Sequence, residues 1–166
     1  TGIVLQNENM VIENNLFRYN AYENIGLGPT SFDEGGYARN IIIRNNVFEN
    51  STWINKFQAQ EGTISAFYSY HELHGGIPVM RAYNMDIVIE NNVFKDLING
   101  AHVMAISLRN AQDVIIRDNQ SINVRQEMNI AANSTKNIVV EWSLNWQEVG
   151  KNMYHLLLAG ISHPLS

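Results

Sequence analysis

The chain contains no cysteine, and this absence removes disulfide bonds, thiolate metal sites and cysteine nucleophiles together. Charged residues are also scarce, at 16% against the usual share of about a quarter, and the formal net charge is −5. Because a mildly acidic chain without a cluster of lysine and arginine binds polyanions poorly, we expect no nucleic-acid partner. No apolar run approaches the roughly 18 residues that a membrane span needs, so we expect no membrane span.

What the sequence does contain is a repeated motif. The segment 9–17 reads NMVIENNLF, and close copies begin at Asn40 and Asp86, with weaker copies at Asp113 and Asn137. Runs of β-branched residues bounded by asparagine or aspartate predict β-strands. A shorter strand is predicted before most copies, at Ile3–Leu5, Thr63–Phe67, Ala105–Leu108, Asn129–Ala132 and Tyr154–Ala159. Each unit therefore reads strand, turn, strand, turn.

Such a unit cannot bury its own apolar face, whereas stacked units can. We therefore predict an all-β fold, a right-handed parallel β-helix (solenoid) of about five to six coils, in one domain over residues 1–166. No amphipathic cap is visible at either end, and bare ends of such a stack recruit other strands. We expect a longer parent protein, of which this is the C-terminal part, or a homo-oligomer to cover the coil ends.

Stacking in register predicts three columns of side chains with structural roles. The first alternates in charge, the second can hydrogen-bond from coil to coil, and the third stacks aromatic rings inside the helix. The charge column consists of Glu13, Arg44, Glu90, Arg117 and Glu141. The asparagine column consists of Asn15, Asn46, Asn92 and Asn119, and the aromatic column of Phe17, Phe48 and Phe94.

Chemistry is expected in two insertions, at 28–37 and 68–78, which fall between the first strand and the motif on successive coils. Equivalent insertions of a repeat protein project from the same edge, so these two should lie side by side. Glu61, which precedes a predicted strand beside apolar residues, is the best candidate for a general acid of raised pKa. It can equally cap a turn, as Asp33 and Glu34 can before the following glycines.

The candidate site residues divide into two groups. The catalytic candidates are Glu61 and Glu34, and the candidates for substrate binding are Asp33, Glu72, Trp53, Tyr70, His71 and Arg81. The aromatic side chains suit the C–H face of a sugar ring. His71 and His74 flank Glu72 without the spacing of a helical zinc motif, so we expect no metal site and no cofactor.

The repeats resemble those of the pectate-lyase-like superfamily of right-handed β-helices. Segments 32–48, 60–65 and 89–94, together with Glu72 and the Ile77-Pro78 pair, are most similar to family 110 glycoside hydrolases, which are exo-acting α-1,3-galactosidases. The resemblance implies hydrolysis of terminal α-galactosides with inversion by carboxylic acids, an oligo- or polysaccharide substrate, and a secreted or periplasmic bacterial location. No Asp-Asp pair here matches that family's catalytic acids, which would then lie upstream of Thr1.

Two other functions remain open. A polysaccharide lyase or epimerase on the same fold abstracts a proton beside a uronate carboxylate and needs cations in its groove, where Arg81 is the nearby one. Calcium-dependent release of unsaturated products would favour this alternative. A non-catalytic glycan-binding or structural module would bind glycan, or nothing, without turnover. Fold alone does not decide between these functions.

Overall fold

The structure is a computed structural model. It describes residues 2–28, 36–52, 62–66, 73–74, 77–78, 84–98, 103–132 and 135–141. These residues form β-strands and connections without any helix, which confirms the predicted all-β class. Accordingly, the described ranges contain no helix of the length and apolar character that crossing a membrane requires.

The strands form three sheets, A, B and C, in which every pairing is parallel, and one short antiparallel pair. Sheet A contains, in spatial order, β1 (Ile3–Leu5), β4 (Ile25–Leu27), β7 (Gly62–Ala66), β12 (Met104–Leu108) and β15 (Met128–Ile130). Sheet B contains β2 (Glu8–Glu13), β5 (Arg39–Arg44), β10 (Asn84–Glu90), β13 (Ala111–Arg117) and β16 (Thr135–Glu141). Sheet C contains β3 (Leu16–Arg18), β6 (Val47–Glu49), β11 (Val93–Leu97) and β14 (Gln120–Val124), and the antiparallel pair is β8 (Leu73–His74) with β9 (Ile77–Pro78).

The chain visits sheets A, B and C in rotation, and we call each set of three such strands a repeat. Repeat 1 is β1–β3, repeat 2 is β4–β6, repeat 3 is β7, β10 and β11, repeat 4 is β12–β14, and β15 and β16 begin a fifth. The order is compatible with a parallel β-helix. The predicted two strands per unit are wrong, because the structure has three.

The third strand arises from a break inside the sequence motif. Asn14, Asn45, Asn91 and Asp118 all have positive φ, between 53° and 60°. Asparagine and aspartate adopt this left-handed backbone more readily than other residues with a Cβ. The chain therefore turns at each of these positions, and the residues that follow leave sheet B and enter sheet C.

The predicted interior aromatic column is confirmed. Phe48 lies between the rings of Phe17 and Phe94, with ring centroids 4.9 and 5.1 Å away and planes tilted by 10° and 11°. Phe48 and Phe94 are fully buried among the isoleucines that point inward from sheet B. The spacing of the rings follows from the spacing of parallel strands, roughly 4.8 Å.

The asparagine column is also confirmed as a hydrogen-bonded ladder. Asn46 accepts at Oδ1 from the backbone N and the Nδ2 of Asn15, at 3.0 and 3.1 Å. Asn92 accepts in the same way from Asn46, and Asn119 from Asn92, at 3.0 to 3.1 Å. In Asn46, Asn92 and Asn119 the Nδ2 also donates to a backbone carbonyl of the preceding repeat, as Asn46 does to Ile12 at 2.9 Å. The ladder thereby fixes the register between repeats.

The alternating charge column follows the same register. Glu13 pairs with Arg44 at 2.6 Å, and Glu90 with Arg117 at 2.7 Å. The hydrogen bond from Arg117 to Glu90 is the main cause that raises the pKa of the arginine. Exposed pairs of this kind contribute about 0–1 kcal/mol each, so the column selects register more than it adds stability.

A second charge column on sheet C was missed by the sequence analysis. Glu49 lies between Arg18, at 3.2 Å, and Lys95, at 3.4 Å. The signs alternate here as well, so two outward columns favour the same register.

Candidate functional site

The corner between sheets A and B carries the two insertions on neighbouring repeats. In repeats 1 and 4 the connection from sheet A to sheet B is short, at residues 6–7 and 109–110, whereas in repeats 2 and 3 it runs over 28–38 and 67–83. Because β4 is the neighbour of β7 and β5 is the neighbour of β10, the ends of the two insertions lie side by side. Segment 67–83 includes the β8–β9 pair.

Asn84 holds this corner together from a fully buried position. Its Oδ1 accepts from the backbone N of Ala38 at 2.9 Å, and its Nδ2 donates to the carbonyl of Asn110 at 3.3 Å. The backbone N of Gly28 donates to the carbonyl of Leu5 at 2.8 Å. Hydrogen bonds therefore hold the first insertion at both ends, at Gly28 where it leaves sheet A and at Ala38 where it returns to sheet B.

Both the backbone conformation at position 28 and the closeness of the Asn84 side chain require a glycine there. The φ of Gly28 is 84°, and a Cβ there would overlap Oδ1 of Asn84 and come within 2.8 Å of its Nδ2. We expect Gly28→Ala to lower the free energy of unfolding by about 1–3 kcal/mol. Urea titration measures this, and faster amide exchange at Ala38 would locate the damage.

The matched control is Gly36→Ala. Among the described residues, a Cβ at Gly36 would meet the carbonyl of Gln6 alone, at 3.1 Å, and Gly36 does not have positive φ. If the two variants lose equal stability, the corner does not have the geometry described.

The corner between sheets C and A carries a third long connection, which joins repeat 2 to repeat 3. Residues 50–61 join β6 to β7, whereas 19–24, 98–103 and 125–127 make the corresponding connections elsewhere. At its start, Oγ1 of Thr52 lies 3.2 Å from Oγ1 of Thr63 and donates to the carbonyl of Tyr22 at 3.3 Å. The backbone N of Asn24 donates to the carbonyl of Thr63 at 2.9 Å. This connection too begins and ends on buried polar contacts.

Sheet A, which separates the two corners, is buried on both faces in β7 and β12. Ile64 and Ile106 belong to the core, so the alternate residues Ser65 and Ser107 point outward, in register with Gly26. The hydroxyl of Ser65 accepts from the backbone N of Gly62 at 2.8 Å. Both faces of these two strands are therefore shielded from solvent.

The predicted site residues all lie outside the residues that the structure describes. They are Glu61, Glu34, Asp33, Glu72, Trp53, Tyr70, His71 and Arg81. The structure gives the attachment points of their segments: Glu61 directly precedes β7, Asp33 and Glu34 lie between β4 and β5, and Glu72 and Arg81 lie between β7 and β10.

Buried polar residues at the corners were missed by the sequence analysis. Asn24 is fully buried, and its Nδ2 has no hydrogen-bond partner among the described residues, while its Oδ1 accepts from Asn20. Asn24 and Asn84 fall outside the repeated columns, so no pattern in the sequence sets them apart. Over the described ranges, no three His, Asp or Glu side chains are grouped so that they could hold a metal ion.

The described strands define an all-β protein built from three parallel sheets. Comparisons with protein-family models, with curated proteins and with solved structures find no match for the chain.

Proposed function

We propose that the chain is a right-handed parallel β-helix of five to six coils that acts on carbohydrate, as part of an exo-glycosidase hydrolysing terminal α-galactosides. The observation that carries this proposal is the grouping of long connections. They are residues 28–38, 50–61 and 67–83, which join strands of repeats 2 and 3 at the two corners that flank sheet A. Every other connection between described strands is shorter. A substrate site is commonly built from neighbouring loops on a rigid scaffold.

The residue content of these connections supports carbohydrate as the substrate. Segment 50–61 carries Trp53 and Glu61, segment 28–38 carries Asp33 and Glu34, and segment 67–83 carries Tyr70 and Glu72. The aromatic residues supply platforms for sugar rings.

Replacement of Glu61 by glutamine tests this proposal. In the role of general acid, Glu61 supplies a proton that glutamine cannot, so in the complete enzyme we expect Glu61→Gln to lower galactose release from terminal α-galactosides by about 100-fold or more. Binding of the galactoside, followed by calorimetry, should weaken far less. Glu8→Gln is the matched control, because Glu8 lies on strand β2 of sheet B, outside the insertions. Its ion pair with Arg39 is long, at 3.9 Å, so its loss should change stability little.

Three outcomes would redirect the assignment. Unchanged release by Glu61→Gln would remove Glu61 from the chemistry. Calcium-dependent formation of unsaturated sugars would make the protein a lyase or epimerase. Galactoside binding without release by the complete protein would make it a binding module.

A further inference from the structure

The outward face of sheet B carries an apolar column that runs through every described repeat. Its members, one on each strand and in register, are Val11, Ile42, Val88, Ile115 and Val139. Their strand neighbours point inward, as Ile87 and Ile89 do on either side of Val88, so the column points outward. Val11 is 51%, Ile115 38% and Val139 48% exposed, and the two members on the inner strands are half-buried.

This face does not have the residue pattern of a sheet that lies against water. A sheet with one solvated face alternates apolar and polar residues, whereas a parallel sheet covered on both faces has continuous apolar runs. Each strand of sheet B has three apolar residues in succession here, as in Ile41, Ile42 and Ile43. A contiguous exposed apolar column of this kind marks a surface that another molecule covers.

The alternating charge column lies beside the apolar column on the same outward face. It is two residues further along each strand, and its neighbouring members pair within the chain, Glu13 with Arg44 at 2.6 Å and Glu90 with Arg117 at 2.7 Å. A partner that covers the apolar column must therefore also meet charges that change sign at every strand, at a spacing of roughly 4.8 Å. A second copy of the same face has this spacing and this alternation by construction.

We propose that two copies of the chain associate through the outward faces of sheet B, about a two-fold axis that is parallel to the strands. Rotation about this axis keeps each position along the strand and reverses the order of the repeats. The apolar column of one copy then faces the apolar column of the other, and the charge columns face each other as well. Packed sheets lie about 10 Å apart, a gap that paired arginine and glutamate side chains can bridge.

The alternation of charge decides where the axis passes. An axis between repeats 2 and 3 sets Arg44 against the second copy's Glu90 and Glu13 against its Arg117, so unlike charges meet. Moving the axis by one repeat, to between repeats 3 and 4, also opposes unlike charges. An axis that runs along a strand opposes like charges throughout, so the column selects an axis between two strands.

The size of the face predicts a weak dimer. Sheet B has five strands of six or seven residues, so its face measures about 20 by 24 Å. Two such faces bury on the order of 1,000 Å² in total, which is less than the roughly 1,200–2,000 Å² of stable complexes. We therefore expect a dissociation constant on the order of 10 μM or weaker.

Replacement of one isoleucine in the apolar column tests the interface. Ile115→Lys places a charge in the apolar contact and should raise the dissociation constant by about tenfold or more. The matched control is Ile122→Lys, because Ile122 lies on the same repeat and is similarly exposed, at 41%, but belongs to sheet C. Sedimentation equilibrium of the full chain from about 1 to 300 μM measures both constants, and circular dichroism checks that both variants fold.

Cross-linking tests the position of the axis, and the absence of cysteine from the chain makes single thiols unambiguous. Val88 lies on the strand next to the axis in both permitted arrangements, so Val88→Cys should give a covalent dimer with a short bifunctional maleimide. Val93→Cys is the control, because Val93 is also half-buried on repeat 3 but lies on sheet C. It should give little covalent dimer.

The proposal is overturned if the unaltered chain stays monomeric over this range, if association survives Ile115→Lys, or if Val93→Cys cross-links as readily as Val88→Cys. A monomer whose thiol at position 88 resists alkylation would also overturn it, and would show that another segment of the chain covers the face. None of these measurements contains a glycan, so their outcome is independent of the proposed carbohydrate function.

Discussion

Replacing Asn92 by alanine is expected to lower the free energy of unfolding by about 3–5 kcal/mol. The side chain of Asn92 is fully buried and accepts from both the N and the Nδ2 of Asn46. It also donates to the carbonyl of Ile43 at 3.0 Å and to Oδ1 of Asn119 at 3.0 Å. Truncation leaves several buried groups without a partner, and each costs about 1–3 kcal/mol. Urea unfolding followed by circular dichroism measures the loss.

Two further variants test the cause of that loss. Asn92→Asp keeps the shape but replaces the two donors by acceptors that face the carbonyl of Ile43 and Oδ1 of Asn119, so it should be at least as damaging at neutral pH. Asn15→Ala removes the exposed end of the ladder and should cost only about 1 kcal/mol. Equal losses at Asn15 and Asn92 would mean that the ladder is not continuous through the interior.

Replacing Phe48 by alanine is expected to cost about 3–5 kcal/mol, because it empties the middle of the aromatic column. The ring lies between two others at about one strand spacing and is fully buried, so its neighbours on both sides lose contacts. Thermal and urea unfolding measure the loss, and a small apolar molecule that restores stability would show that a cavity remains.

Phe17→Ala is the comparison, since Phe17 stacks on one ring, that of Phe48, within the described part of the chain and is slightly exposed. It should cost clearly less than Phe48→Ala. A loss at Phe17 that matches or exceeds that at Phe48 would contradict the stacked interior.

The repeated columns could be predicted from the sequence because each repeat places the same residue type in the same environment. Asn46 and Asn92 occupy equal positions in the motif, as Phe48 and Phe94 do, and parallel stacking in register brings such residues together. The strand Ile25–Leu27 was missed because Gly26 and Gly28 make this segment look like a turn. The sequence analysis did not separate the strands of sheet C from those of sheet B. The left-handed turn at residues such as Asn45 changes the direction of the backbone and leaves no clear mark in the pattern of residues.

The candidate site could not be predicted in the same way, because its segments occur once. Glu34 and Glu61 have no counterparts in other repeats, so no column fixes their positions. Only the attachment points follow from the stack, and these depend on buried polar residues such as Asn84 that no pattern marks. A sequence repeat specifies the scaffold, whereas the chemistry rests on the departures from it.

The most direct test of the carbohydrate function is the response of the unaltered 166-residue chain to paired galactosides that differ only at the anomeric carbon. Nitrophenol release and ligand binding are measured with α- and β-linked nitrophenyl galactosides side by side. The account predicts that the chain binds the α-anomer in preference to the β-anomer, and that any release of nitrophenol is confined to the α-anomer. An equal response to both anomers, or a response to neither, would contradict it.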